Sequence, residues 1–377
     1  MAEGVLPALR LWPRVQRWRY VAPIILRSKA SAVLFLGVIP AAMYVPTLLH
    51  AVTGDRSSSD FLSFWRAGGD VWHGHSPYPL LHALPAVADR FTFEPFVYPA
   101  PAAFAMVPFA ALPFAVAATL FLVLSCGAIV AALRLLNVRD WRCYGATFAS
   151  VPVLAGTSLG AFSPLLLLGA AAAWRYRDRV SRVAPIVAAL VVTKLFLWPL
   201  WLWLVYTRRF AAAAIAAALG LLATIGAWAL IGFAGLRDYP RILSRLTELV
   251  GVNSYSPYAL LRTEGFGGSA SQRIVLALGA VLVVWGAVAL RMVRKDERSF
   301  VAAVALGLLL TPILWPHYLV LVYIPIALVR KTFSPLWLFP LLFWFDGFGW
   351  SDGEAIKIVP ALCLTAVPFV LALRHAE

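Results

Sequence analysis

The sequence predicts an all-α fold of the polytopic transmembrane class, with about 12 spans. Three observations carry that expectation. The 377-residue chain is 62% hydrophobic and only 13% charged, which leaves too little polar cover for a soluble domain. Its apolar residues form segments separated by small basic clusters, at 10–29, 134–142, 175–182, 208–209, 291–298 and 330–331. Such clusters beside spans mark cytoplasmic loops. The net charge of +15 is therefore a record of topology, and no nucleic-acid partner is expected.

Taken in order, residues 1–30 form a basic cytoplasmic arm with Trp12, Trp18 and Tyr20 among the arginines. A helix lying on the anionic inner leaflet is the simplest reading. Residues 31–377 form a single transmembrane domain. Segment 31–52 is the first span and not a cleavable signal, because its basic lead-in is long. The first outer loop follows at 53–100. In the apolar block 101–136, Pro113 separates an interfacial lead-in from the second span.

Between Arg142 and Arg175 both ends are basic, so the segment folds back as a hairpin turning near 156–164. The same logic turns 183–207 near Lys194 and 299–329 at Trp315-Pro316-His317. Each arm of the 183–207 hairpin has about 12 residues, or roughly 18 Å. Arms that short imply an outward-open cavity or a thinned membrane. Segment 210–232 leads to a second outer loop at 233–272, and spans at 274–291, 332–346 and 356–373 complete the chain. A monomeric, multi-pass plasma (inner) membrane protein is expected, with both termini cytoplasmic. None of Cys126, Cys143 and Cys363 falls in an outward loop, so no disulfide is expected.

The most polar stretch runs from Asp60 to Tyr78. On a helical wheel Phe61, Phe64, Trp65, Gly68, Val71 and Trp72 share one face, and Ser63, Arg66, Asp70 and His73 the other. An amphipathic helix lying flat on the outer interface fits this pattern. Ser57, Ser58, Ser59 and Asp60 are all good capping residues, and Gly74 with Ser76-Pro77 ends the helix. As a bare feature Asp60 reads first as a cap.

Asp60, Trp65-Arg66-Ala67-Gly68, Gly74 and Pro77-Tyr78 resemble the first outer-loop motif of glycosyltransferase family 87. These are polyprenol-phosphate-mannose-dependent mannosyltransferase-like enzymes of the membrane-embedded GT-C class. Phe96-Val97-Tyr98-Pro99, with Pro108 and Leu112-Pro113, resembles the family's entry into its second span. Thr311-Pro312-Ile313-Leu314-Trp315-Pro316-His317 resembles its late Ser-Pro-x-x-Trp-x-His segment. The chain departs from the pattern at Gly160-Ala161-Phe162-Ser163, where the family tends to have Gly-Gln-x-Asn. It departs again at Lys194…Pro199, a stretched Lys-Pro pairing, and at Tyr318, where a second histidine is usual.

The resemblance implies a GT-C-like fold and inverting transfer of a sugar, mannose first, from a polyprenyl-phosphate donor. The acceptor would be a glycolipid or cell-envelope glycan on the extracytoplasmic side. Arabinofuranose carried on decaprenyl phosphate is the nearest competitor within the family. The chemistry needs a carboxylate to take the acceptor proton, for which Asp60 is the candidate. It also needs cationic or donor groups on the departing phosphate, for which Lys194 and His317 are candidates. Trp65, Arg66, Tyr78, Tyr98, Trp315 and Arg262 are the further candidate substrate contacts.

Each has a plainer reading beside it. Lys194 also fits a snorkelling side chain, His317 a structural donor among aromatics, and Arg262 and Arg245 solvated charges. Asp70 fits either a second carboxylate of the site or the partner of Arg66, and the latter is the favoured reading. No Asp-x-Asp pair, no His/Cys cluster with metal spacing and no phosphate-binding glycine loop occurs. Metal-independent chemistry without a cofactor is therefore expected. A transporter or flippase of lipid-linked sugars is the alternative from another class, but such proteins usually place ionisable groups on broken helices at the midplane.

Overall fold

The computed structural model describes residues 29–55, 59–80, 95–291, 296–346 and 351–375. Most of the predicted basic arm, and the capping candidates Ser57 and Ser58, lie outside them. The described residues are organised as helices, with no strand among them. In a bilayer this is the expected solution, because a helix satisfies its backbone polar groups internally.

The first span, α1, runs Lys29–Thr53. Val38, Val45, Leu49 and Val52 on it are more than half exposed, a surface suited to lipid and not to water. Its backbone widens into a π turn over Leu34–Val38. A Cβ on Gly145 would lie 1.8 Å from the Leu36 carbonyl oxygen there, so two backbones touch at that crossing. The outer-loop helix α2 (Ser59–Trp72) follows. Two short helices, α3 (Ala100–Ala105) and α4 (Val107–Ala110), form the lead-in, and Pro113 breaks the chain before α5 (Phe114–Leu135).

The three expected hairpins are present with their turns where the charge pattern puts them. In the first, α6 (Trp141–Phe148) leads into α7 (Val151–Ser158), and α8 (Ser163–Arg175) leaves it at 118°. Gly160 makes that bend at a φ of +64°, open to glycine at little cost. In the second, α9 (Val180–Thr193) stops at Lys194, which is extended, and α10 (Pro199–Tyr206) returns. After α11 (Phe210–Leu230), the segment expected as the second outer loop holds the amphipathic α12 (Tyr239–Val250) and α13 (Pro257–Thr263).

The long α14 (Gly268–Arg291) precedes the third hairpin, in which α15 (Asp296–Leu310) ends before an irregular turn. A 3₁₀ segment, Pro316–Val322, then leads into α16 (Tyr323–Val329). A second 3₁₀ run at Pro335–Phe345 and the last helix, α17 (Ala355–His375), complete the fold.

Among the described residues four helices are long and apolar enough to cross a membrane, or five if the bent α7–α8 pair counts as one. The expectation of about 12 counted every hairpin arm as a crossing. The arms are too short for that count to follow: α9 has 14 residues and α10 has 8. The segment expected at 332–346 is an 11-residue 3₁₀ helix.

The amphipathic helix also differs from expectation in what it packs against. Phe61 and Phe64 are each 1% exposed. The Phe61 ring lies 5.0 Å from that of Phe121, and Phe64 lies 4.5 Å from Phe162. Gly68 seats α2 on the lead-in, since a Cβ there would stand 2.8 Å from the Met106 carbonyl. The apolar stripe thus rests on protein, and Trp72 alone of the predicted face is strongly exposed. A helical stripe has the same period whether lipid or protein covers it.

Three loops that the charge pattern assigned to one side meet there. Asp296 accepts from Arg177 Nε at 2.9 Å, from both terminal nitrogens of Arg209 at 2.8 Å, and from Trp203 Nε1 at 3.1 Å. The arrangement ties the ends of α8, α10 and α15 together, opposite the hairpin turns. The α1 crossing gives a test. Gly145→Ala should lower stability by about 1–3 kcal/mol through overpacking, read as a lower unfolding midpoint in detergent. Gly127→Ala, with nothing within 4 Å of the added carbon, should leave the midpoint unchanged or raise it.

Candidate active site at the meeting of the hairpin turns

The start of α2 and the three turns come together. The Phe61 amide donates to the Leu159 carbonyl at 3.1 Å, which fixes the first turn of α2 on the α7–α8 bend. Gly160 allows that contact: a Cβ there would lie 2.5 Å from the Phe61 Cβ. Asp60 lies within the first helical turn, where an acid also faces the positive end of the helix dipole. The helix begins at Ser59, so Asp60 is inside it and not the flanking cap residue.

Lys194, at the break between α9 and α10, reaches this point. Its ammonium lies 3.7 Å from the centre of the Tyr98 ring and 4.7 Å from that of Tyr318. Both rings are buried. The Asp60 charge acts on Lys194 and on both tyrosines, and the two phenols also interact with each other. The ammonium thus lies against two π faces and within the field of the Asp60 carboxylate, an arrangement that offsets part of the cost of removing it from water.

His317 stands beside this group. It is 3% exposed, the Lys194 charge acts on it, and its ring meets that of Tyr318 edge-on at 4.4 Å. Its Nε2 has no hydrogen-bond partner among the described residues. The structure therefore gathers Asp60, Tyr98, Lys194 and His317, four of the predicted site residues. Tyr318 joins them, although the sequence marked it only as a departure from a paired-histidine pattern. Its signal was adjacency to His317 in a turn that carries polar groups through an apolar chain.

The other predicted contacts lie around this cluster or away from it. Trp65 donates from Nε1 to the Leu112 carbonyl at 3.1 Å and packs on Phe114, so it anchors α2. Tyr78 stacks on Trp228 at 4.9 Å and donates to the Tyr98 carbonyl at 2.9 Å, bracing the backbone of a residue in the cluster. Trp315 is half-buried, and its carbonyl accepts from the Tyr318 amide at 3.0 Å. Arg66 is exposed. Arg262 interacts with Tyr258 on α13, in the second outer loop.

Asp70 is a more crowded case than a simple Arg66 partner. Burial raises its carboxyl above the ordinary range, against opposing pulls from His75, Arg66 and His73 in that order. Among the described residues no three His, Cys, Asp or Glu side chains gather in a way that suits a metal ion.

The apolar helices fit a membrane-embedded protein, and its polar groups converge where the hairpin turns meet. Residues 96–316 match glycosyltransferase family 87, more than half of the chain, and the protein belongs to that family. It is therefore a glycosyltransferase. The matched region contains Tyr98, Lys194 and Trp315, begins after α2, and ends one residue before His317. No curated protein and no solved structure matches the chain.

The cage around Lys194 can be weighed directly. In a double-mutant cycle of Lys194→Met with Tyr98→Leu, the unfolding free energies should show a coupling of about 0.5–2 kcal/mol. The same cycle with Tyr318→Leu should give a smaller value, in keeping with its longer distance. Additive effects in both cycles would mean the ring contacts contribute nothing.

Proposed function

We propose that the enzyme transfers a sugar, most simply mannose, from a polyprenyl-phosphate donor to a glycolipid or cell-envelope glycan acceptor, with inversion, on the extracytoplasmic side. The observation that carries this reading is the Lys194 ammonium held between the Tyr98 and Tyr318 rings at the meeting of the turns, within the field of the Asp60 carboxylate, in a chain of this family. Asp60 takes the proton of the acceptor hydroxyl as that oxygen attacks the anomeric carbon. The bond from the anomeric carbon to the phosphate oxygen breaks, and its electron pair leaves with the lipid phosphate.

Lys194 meets the charge that develops on the phosphate, and His317 supplies a hydrogen bond from Nε2. Both act in a site from which water is largely excluded, where fixed charges and dipoles are strongest. The reaction proposed needs no metal ion or cofactor. Within the family, arabinofuranose on the same kind of carrier is the competing donor, and a transfer assay supplied with each polyprenyl-phosphate sugar in turn separates the two.

Asp60→Asn should fold normally and lose about 10²–10⁴-fold in transfer rate, measured with a defined polyprenyl-phosphate mannose and a glycolipid acceptor. Full activity in a folded Asp60→Asn protein would remove the base assignment. The side of the site is tested separately. In a cysteine-free background, a cysteine replacing exposed His73 should react with a membrane-impermeant thiol reagent in intact cells. One replacing Arg179 should react only after the membrane is opened. The reverse result would invert the topology.

A further inference from the structure

We propose that Ser163, together with His317 and the first turn of α8, forms the cradle that holds the phosphate of the lipid-linked donor. The inference rests on the donor class proposed above and names a residue to which neither the sequence motifs nor that reading gives a role.

Ser163 is 1% exposed, and its hydroxyl has no hydrogen-bond partner among the described residues. The same holds for His317 Nε2. Leaving a polar atom buried and unpaired is costly, so two such atoms on side chains that converge on one place call for an explanation. A Cβ built on Gly156 would lie 2.7 Å from Ser163 Oγ and 3.5 Å from the Cβ of His317. The two side chains thus crowd the same bare stretch of α7 backbone, one from the α8 bend and one from the third hairpin turn.

The groups assembled here point to an anion. Ser163 is the first residue of the 13-residue α8 and Pro164, which has no N–H, the second, so the amides with no acceptor inside the helix at this end are those of Ser163 and Leu165. Those amides and the helix dipole favour negative charge at this end. Ser163 adds a hydroxyl donor, His317 a ring nitrogen, and Lys194, whose charge acts on His317, a cation. Phosphate oxygens accept hydrogen bonds without donating any, which matches this set better than sugar hydroxyls do. Gly156 is what keeps Oγ in place, since a methyl at 2.7 Å would push the hydroxyl to another rotamer.

The test uses the full chain in detergent micelles, with a polyprenyl monophosphate and the polyprenol of the same length as probes. The wild type should bind the phosphate more tightly. Ser163→Ala should weaken phosphate binding about tenfold or more, the usual size for a hydrogen bond to a charged group. Polyprenol binding should not change, and the unfolding midpoint should hold or rise because an unpaired buried hydroxyl is gone. Gly156→Ala should reproduce the selective loss with Ser163 still present.

Wild-type phosphate affinity in Ser163→Ala would overturn the inference and leave the donor reading intact. So would equal weakening of both lipids, which would mark a packing role. Failure of the wild type to prefer phosphate over polyprenol would instead remove the donor reading, and the cradle with it.

Discussion

Lys194 carries an ammonium into a bundle whose surroundings are apolar, and the rest of the site is arranged around making that tolerable. An isolated charge there would be expensive, and pairing alone seldom repays full desolvation. Here the charge is shared among the Asp60 carboxylate, the Tyr98 face at 3.7 Å and the Tyr318 face at 4.7 Å. Each partner comes from a different part of the chain. The fold must therefore hold the first outer loop, the lead-in to α5 and two hairpin turns in register before the cation is satisfied.

Supporting contacts set that register. Tyr239 donates to the Val97 carbonyl at 3.1 Å and Tyr78 to the Tyr98 carbonyl at 2.9 Å, fixing the strip that carries Tyr98. The turn before His317 is clamped from the second outer loop. Ser256 donates to the Pro312 carbonyl at 2.7 Å, and the Tyr255 amide donates to the Leu314 carbonyl at 2.9 Å. Ser351 in turn donates to the Ser254 carbonyl at 2.8 Å, while Tyr255 pairs through its hydroxyl with Asp346. A turn without regular hydrogen bonding is admissible at this depth only where protein supplies its partners, and the second outer loop supplies them.

Much of this was legible in the residues, for physical reasons that also mark where legibility stopped. Basic clusters at both ends of an apolar stretch force a turn, so the bends at Gly160, Lys194 and Trp315-Pro316-His317 could be placed from charge alone. Pro113 separated the lead-in from α5 because it stands in extended backbone as the residue before the helix, a place proline suits since it has no N–H to donate. The number of crossings could not be read this way, because an arm of 8 to 14 residues has the composition of a span without its length. Nor could the partner of the α2 stripe be read, since periodicity gives a face and not what covers it. Ser163 and Tyr318 entered the sequence reading only as departures from the family pattern, not as site residues. Their roles depend on which turns meet in space.

The boundaries of the family match bear on how the site is built. Residues 96–316 hold the cation, one of its tyrosine walls and the α7–α8 bend, but not the carboxylate. The carboxylate arrives on α2, which is joined to the matched region by the Phe61–Leu159 backbone bond and by a seat of phenylalanines. A backbone bond places Asp60 without regard to the side chains around it, as long as residue 160 can take a positive φ and has no Cβ to strike Phe61. Gly160 meets both conditions. The position of the carboxylate relative to the ammonium is thus set by one glycine in the matched hairpin, not by the polar residues of the first outer loop. On this geometry Ser63, Arg66 and His73 can vary in their chemistry without moving Asp60, whereas any side chain at 160 displaces it.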